Sequence, residues 1–274
     1  MKILKKTYSK NKNEIDLIGW GDFCSEGQKS PLKVSNQKTI LIIGVVHGDE
    51  PQGKFLIENY LNIPPPQPSP SRGEGAKLLP PNFSVKEIEL GTEALPPPPL
   101  RGRGEFQNEE RVLEIRVGGK NRLLFIPCLN PDGLDLKTRQ NANGVDLNRN
   151  FPTENWEVSN NPEYFGGEMA SSEIETKFVT EILEEFSTDV ILTLHAPYKV
   201  VNYDGPAKEI AQKFSDIIGY PVSNDIGYPT PGSFGTYAGV ERNIPIITLE
   251  LNEEIDVKEL IAPVNKIFDY LADM

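Results

Sequence analysis

Thr39-Ile40-Leu41-Ile42-Ile43-Gly44-Val45-Val46-His47-Gly48-Asp49-Glu50 is the stretch on which the fold turns. Its opening run, TILIIGVV, is apolar throughout and rich in β-branched residues, the pattern of a strand buried on both faces. The run then breaks at once into polar residues, so a histidine and two acids stand where a strand leaves a sheet. Leu123 to Cys128 (LLFIPC), Asp189 to Leu194 (DVILTL) and Ile244 to Leu251 (IPIITLEL) repeat the pattern. Helical segments alternate with these runs. Gln52 to Leu61 predicts a helix with Phe55, Leu56 and Tyr60 on one face. Ser171 to Phe186 spaces Ile174, Phe178, Ile182 and Phe186 four apart, with Glu173 and Glu175 in its first turn. Lys208 to Ile218 and Val257 to Ala272 also read as helices. Buried strands separated by helices predict an α/β fold: a mixed, mostly parallel β-sheet flanked by helices. In such sheets ligands gather beyond the carboxyl ends of the strands. The reactive residues of this chain fall there.

The 274 residues are 38% apolar and 25% charged, enough to bury a sizeable core. They read as a single catalytic domain, 1–274, interrupted by a proline-rich insertion at 62–110. That insertion holds 11 of the 24 prolines, in runs such as Pro64-Pro65-Pro66 and Pro96 to Pro99. Each proline removes a backbone donor, and few large apolar residues offset the ordering entropy. The segment is therefore expected to be disordered or weakly ordered, with a short strand at Glu87 to Leu90; a proline-rich docking segment is the other reading. The net charge of -12 disfavours sequence-independent binding to nucleic acid. No apolar run reaches the 18 residues a membrane span needs, and no signal-peptide core follows the basic N-terminus, so the chain reads as cytoplasmic. Cys24 and Cys128 have no metal-type spacing and read as free thiols. The oligomeric state stays open.

Only two histidines occur, His47 and His195, and each closes a buried strand. Gly48 gives the turn after His47 the freedom to bring Glu50 to the same point. Two imidazoles and a carboxylate make a three-ligand zinc set that leaves a fourth position for water. Asn130-Pro131-Asp132-Gly133 follows the second strand and reads locally as a turn. Gly144 to Pro152 (GVDLNRNFP) comes next. Glu250 lies inside an apolar strand, where an unpaired carboxylate is costly.

HGDE, NPDG, GVDLNRNF, His195 and Glu250 occur in the order found in the zinc carboxypeptidase family, and the chain resembles that family from about Thr39 to Glu250. The resemblance implies one zinc per chain, held by His47, Glu50 and His195. It implies that Glu250 is the general base that takes a proton from the attacking water and passes it to the leaving amine. Arg139 corresponds to the family's oxyanion-stabilising arginine. Asn148 and Arg149 correspond to the pair that grips the free carboxylate of the substrate, and Tyr228 to a mobile tyrosine over the site. Once the insertion is set aside the chain is short for this family, and Tyr228 to Tyr237 (YPTPGSFGTY) resembles its murein peptide amidase branch. That branch cuts the γ-D-glutamyl–meso-diaminopimelate bond during cell-wall recycling. The implied partner is a peptide with a free carboxylate, a muropeptide, with neither nucleic acid nor membrane. Other readings stay open: a general or glutamate-trimming carboxypeptidase, and a deacylase of the succinylglutamate desuccinylase type. A non-catalytic binding module would lack a ligand or the base, and none is missing.

Overall fold

The four apolar runs form the middle of one sheet. The computed structural model describes residues 1–20, 36–62, 120–225 and 227–274, all within one compact unit. In chain order the elements are β1 (Lys2–Tyr8), β2 (Glu14–Trp20), β3 (Thr39–Gly44), α1 (Gln52–Leu61), β4 (Arg122–Ile126), α2 (Pro131–Leu136) and α3 (Ile174–Phe186). They continue with β5 (Val190–His195), β6 (Val200–Asp204), α4 (Lys208–Ile218), β7 (Val222–Ser223), β8 (Ile246–Glu250) and α5 (Ile261–Asp273). The sheet order is β1-β2-β4-β3-β5-β8-β6-β7. The central strands β4, β3, β5 and β8 run parallel. β2 joins β4 antiparallel, and β6 joins β8 the same way. The expected mixed, mostly parallel α/β fold is thus what forms.

Every residue of β3, β4 and β5 is buried, because helices cover both faces. Ile40, Ile42, Phe125, Leu192 and Ile247 pack with Leu56 and Tyr60 of α1, Phe214 of α4 and Phe268 of α5. The alternate residues Leu41, Ile43, Leu124, Ile126 and Ile191 pack with Phe178, Val179 and Ile182 of α3. A strand with period two between two apolar layers has no polar face to show, which is why the runs carry no alternation. Each such side chain contributes about 1.5–3 kcal/mol on burial.

Several details differ from the expectations. Phe55 is 37% exposed, and the buried face of α1 is Gly53, Leu56, Ile57, Tyr60 and Leu61. The inward stripe of a 3.6-residue period passes beside Phe55. Ile174, as the first residue of α3, is also exposed, and the buried stripe is Phe178, Val179, Ile182 and Leu183. NPDG does more than turn: Pro131 starts α2, and the Asn130 side chain accepts a hydrogen bond from the Gly133 N–H at 2.9 Å. The hairpin β1–β2 was not read from the sequence, although Ile15 and Leu17 alternate into the core. Cys128 is free and buried, and burial pushes its thiol up to about 12. Cys24, the strand expected at Glu87 to Leu90 and the insertion after Asn62 lie outside the described residues. Among the described residues no helix is long and apolar enough to cross a membrane.

Candidate active site

Strand ends set the first half of the site. After β3 the chain passes through Val45 at φ 51°, a strained conformation for a β-branched residue. The Val45 carbonyl is held there by the Asn130 N–H at 2.9 Å. The chain then turns at Gly48, where a Cβ would lie 1.9 Å from the Gly133 backbone, so no larger residue fits. Glu50 N–H donates to the His47 carbonyl at 3.2 Å, and this closure brings the two side chains to one side. His195 is the last residue of β5 and stands opposite Glu250, the last residue of β8.

His47 Nδ1 lies 2.8 Å from Glu50 Oε1, and His195 Nδ1 lies 3.0 Å from Glu50 Oε2. The two Nδ1 atoms are 3.2 Å apart. One proton between two such nitrogens satisfies one lone pair as donor and the other as acceptor, and reaches neither carboxylate oxygen. One cation serves all three groups together. At zinc–nitrogen distances of ~2.0–2.1 Å and a tetrahedral angle, two ligating nitrogens stand about 3.3 Å apart. The donor set fits zinc: its ligand atoms lie within 4.8 Å of one another, and all three residues are nearly or wholly buried.

Behind His47 stands Asp146, a residue to which the sequence reading gave no role. Its Oδ1 is 3.2 Å from His47 Nε2 and accepts the Asn148 N–H at 2.9 Å, while Oδ2 accepts Arg139 Nε at 3.0 Å. It is fully buried. A carboxylate on the far nitrogen fixes ring orientation and raises the basicity of the near one. Burial alone would lower the His47 pKa, but Glu50 and Asp146 overcome it and push it up to about 9. Burial likewise opposes the ionisation of Glu50 and Asp146; the adjacent imidazoles, and Arg139 beside Asp146, hold both well below the usual carboxylate range. The signal for Asp146 was available: an acid between Val145 and Leu147, both buried, must be paired.

The site opens into a cavity of about 740 Å³ that all eight sequence-predicted residues line: His47, Glu50, Arg139, Asn148, Arg149, His195, Tyr228 and Glu250. Arg139 Nη1 lies 3.3 Å from His47 Nδ1 and 3.9 Å from Glu50. Arg149 is 5% exposed, donates to its neighbour's carbonyl, and forms no ion pair among the described residues. Both guanidinium groups lie over the Tyr164 ring, at 5.4 and 5.6 Å. Asn148 Oδ1 accepts the Phe234 N–H at 2.9 Å, which ties GVDLNRNF to the TPGSFG segment; Phe151 and Phe234 stack at 4.6 Å. Tyr228 is 41% exposed at the rim. Glu250 is buried with no hydrogen-bond partner for Oε2, and burial raises its pKa against the pull of His195. Tyr164 and Asp204 also line the cavity and were not foreseen.

Residues 112–226 match the zinc carboxypeptidase family. Over 154 residues the chain is 31% identical to murein peptide amidase A of Escherichia coli K12, an alignment covering 50% of this chain and 63% of that protein. It is 36% identical over 139 residues to murein peptide amidase A of Vibrio campbellii, covering 46% and 55%. In fold it is similar to the crystal structure of a murein-tripeptide amidase from Escherichia coli O157, with a TM-score of 0.62 at 20% identity, covering 97% of this chain and 89% of that one. The chain therefore aligns with between 55% and 63% of the length of these curated relatives.

Proposed function

We propose that this chain, similar to the zinc carboxypeptidases in sequence and in fold, is a zinc-dependent peptidase that hydrolyses the γ-D-glutamyl–meso-diaminopimelate bond of murein peptides. One observation carries the peptidase reading. Three buried donors converge on one point, in a cavity shared with a buried glutamate whose Oε2 has no hydrogen-bond partner and a buried arginine that forms no ion pair among the described residues. The murein substrate is supported by the identity to murein peptide amidase A. Cleavage of recycled cell-wall peptides in the cytoplasm, by one catalytic domain interrupted at 62–110, belongs to the same reading.

His47, Glu50 and His195 would hold the zinc. When bound, it supplies Lewis acidity, bringing the pKa of a water toward ~7 and polarising the scissile carbonyl. Glu250 has an acceptor oxygen to spare and takes a proton from the attacking water, then delivers it to the departing amine. Arg139, held by Asp146, donates to the oxygen on which negative charge develops. Arg149 takes the free carboxylate of the leaving residue with a planar pair of N–H groups. The Asn148 carbonyl oxygen is bound to Phe234, which leaves its amide N–H₂ to assist. Tyr228 covers the mouth.

The test is a set of peptides differing at the scissile bond, assayed with the zinc-loaded protein. L-Ala-γ-D-Glu-meso-diaminopimelate should be cleaved at least tenfold better than its lysine counterpart. A site built around a second carboxylate leaves its own polar groups unpaired when that carboxylate is absent. Faster hydrolysis of ordinary α-linked peptides would replace the murein reading with that of a general carboxypeptidase.

A further inference from the structure

Arg139 and Arg149, the two cations of the proposed chemistry, share one neighbour to which that chemistry gives no task. The half-buried ring of Tyr164 lines the cavity, with the Arg139 guanidinium 5.4 Å from its centre and the Arg149 guanidinium 5.6 Å from it. Two cations facing one cavity oppose each other. Burial and the Arg139 charge both push the Arg149 guanidinium below its ordinary pKa, with Asp146 pulling the other way. An aromatic ring attracts a cation through its quadrupole, and here one ring serves two. A carboxylate in the same place would attract them more strongly, but it would accept the N–H groups that an incoming anion needs. The ring leaves those groups free. Arg139 spends Nε on Asp146 and Arg149 spends Nη1 on the Asn148 carbonyl, so each fork keeps N–H groups to give.

The backbone around Tyr164 is fixed by the arginines' own neighbours. Tyr164 ends a short 3-10 turn, Pro162–Tyr164, in a mostly exposed stretch of loop. Gln140, next to Arg139, donates from Nε2 to the Glu163 carbonyl at 2.8 Å, which fixes the residue before the ring. The Asp146 N–H donates to the Phe165 carbonyl at 2.8 Å, which fixes the residue after it. One residue further on, a Cβ on Gly166 would lie 2.3 Å from the Arg149 carbonyl oxygen, so the chain there runs against Arg149 itself. Moving this segment relative to either arginine means breaking one of these ties. The Tyr164 hydroxyl, by contrast, forms no hydrogen bond among the described residues. What the position uses is the ring.

We infer that Tyr164 is a positioning residue, whose ring is a common platform that holds the Arg139 and Arg149 side chains toward the cavity, set to receive two negative groups of one substrate. These are the oxygen on which charge develops and the free carboxylate of the leaving residue. The inference rests on the peptidase reading and adds a coupling to it. Removing the ring disturbs both arginines at once, so it costs turnover and binding together, whereas loss of Arg149 alone costs mainly binding.

Two measurements test it on the full-length, zinc-loaded protein. In the first, kcat and KM for L-Ala-γ-D-Glu-meso-diaminopimelate are compared in the wild type, Tyr164→Leu and Tyr164→Phe at equal zinc content. Leu fills much of the space without a ring, and it should lower kcat and raise KM by threefold or more each. Tyr164→Met serves the same purpose should the Leu variant fold poorly. Phe restores the ring without the hydroxyl and should recover both values to within twofold. If Tyr164 only packed the loop, Leu would lower the Tm and the active fraction and leave KM alone. That result, or a Phe variant as impaired as Leu, overturns the assignment. In the second, calorimetry measures binding of free meso-diaminopimelate, which carries the leaving-side carboxylate. The wild type and Tyr164→Phe should bind it alike, and Tyr164→Leu at least threefold more weakly. This pattern supports the assignment even if no peptide is cleaved, an outcome that would sink only the peptidase reading. Equal binding by the wild type and Tyr164→Leu, or no binding by any of the three, overturns it.

Discussion

One wall of the cavity is made of strand ends and the other of loop, and the two are held by different forces. His195 and Glu250 end adjacent strands whose main-chain ladder fixes their separation. Arg139, Asn148 and Arg149 lie on an irregular stretch between α2 and α3 that has no ladder. Side-chain amides serve instead. Asn141 accepts the N–H groups of Asn143 and Val145 and donates to Glu173 at 2.7 Å. Asn150, fully buried, donates to the Gly166 carbonyl at 2.8 Å and to Ser172 Oγ at 3.0 Å, and accepts the Glu173 N–H at 3.2 Å. On the proposed reading the strand wall carries a zinc ligand and the base, and the loop wall carries the arginines that meet the oxyanion and the substrate carboxylate. Substitutions at His195 or Glu250 should therefore abolish the reaction, whereas those at Arg149 or in the amide network behind it should weaken binding or stability.

The largest effect expected is from His195→Ala on the strand wall. It should remove bound zinc and reduce turnover to background, read together by metal analysis and hydrolysis. Retained zinc with a wild-type rate would show that the ion is held elsewhere. Glu250→Gln, on the neighbouring strand, should keep zinc and fold but lose ~10²–10⁴-fold in kcat, since the amide cannot take the proton. An undiminished kcat would move the base to another residue. Across the cavity, Arg149→Ala should act mainly through KM. Losing a charged hydrogen bond is worth about 1.5–3 kcal/mol, or one to two decades in kcat/KM. Amidating the substrate carboxylate should cost the wild type as much and the variant little. Equal sensitivity of the two proteins to amidation would place the carboxylate grip elsewhere.

The effect expected to be smallest on turnover concerns the stability of the loop wall. Glu175, at 1% exposure in the first turn of α3, faces the amide network, with Oε1 unpartnered and Oε2 3.4 Å from Asn141. Burial, reinforced by the Glu173 charge, pushes its carboxyl up to about 7. In the unfolded chain it ionises near 4.5. Between those values the folded protein binds the extra proton, so its stability falls as pH rises and levels off above 7. The whole change is on the order of 3 kcal/mol. Thermal melting of Glu175→Gln should show a Tm advantage over the wild type that grows from pH 5 to pH 8. An advantage independent of pH would mean that the carboxyl is not buried in this way.

The strand wall was readable in the sequence and the loop wall only in part, for a physical reason. A strand covered on both faces is apolar from end to end, so its last residue is marked by the first polar side chain, as at His47 and His195. Glu250 stood out because an acid within such a run is expensive. The loop wall could be named only through a family resemblance, since amide networks follow no period. Asp146 was quoted within its motif without a role, because only the fold brings it to His47. The hairpin β1–β2 was passed over because the edge strand β1 buries little: Ile3 is 52% exposed and Tyr8 50% exposed. Asp204 carried no local signal at all, since only the fold brings the end of β6 to the cavity, against two glycines more than 30 residues further along the chain.

The pairing of His195 with Glu250 sets a limit on how the site can change. Their backbones are neighbours in a parallel pair, so the backbone spacing between the proposed metal ligand and the proposed base is that of adjacent strands, ~4.8 Å, whatever side chains stand around them. Side chains along a strand alternate between faces, and inserting or deleting one residue in β8 would send the carboxyl at 250 into the oily layer beneath α5. Leu249 or Leu251 would take its place at the cavity. No gradual series of shifts leads from one register to the other, so the sheet works here as a gauge with only whole-number settings.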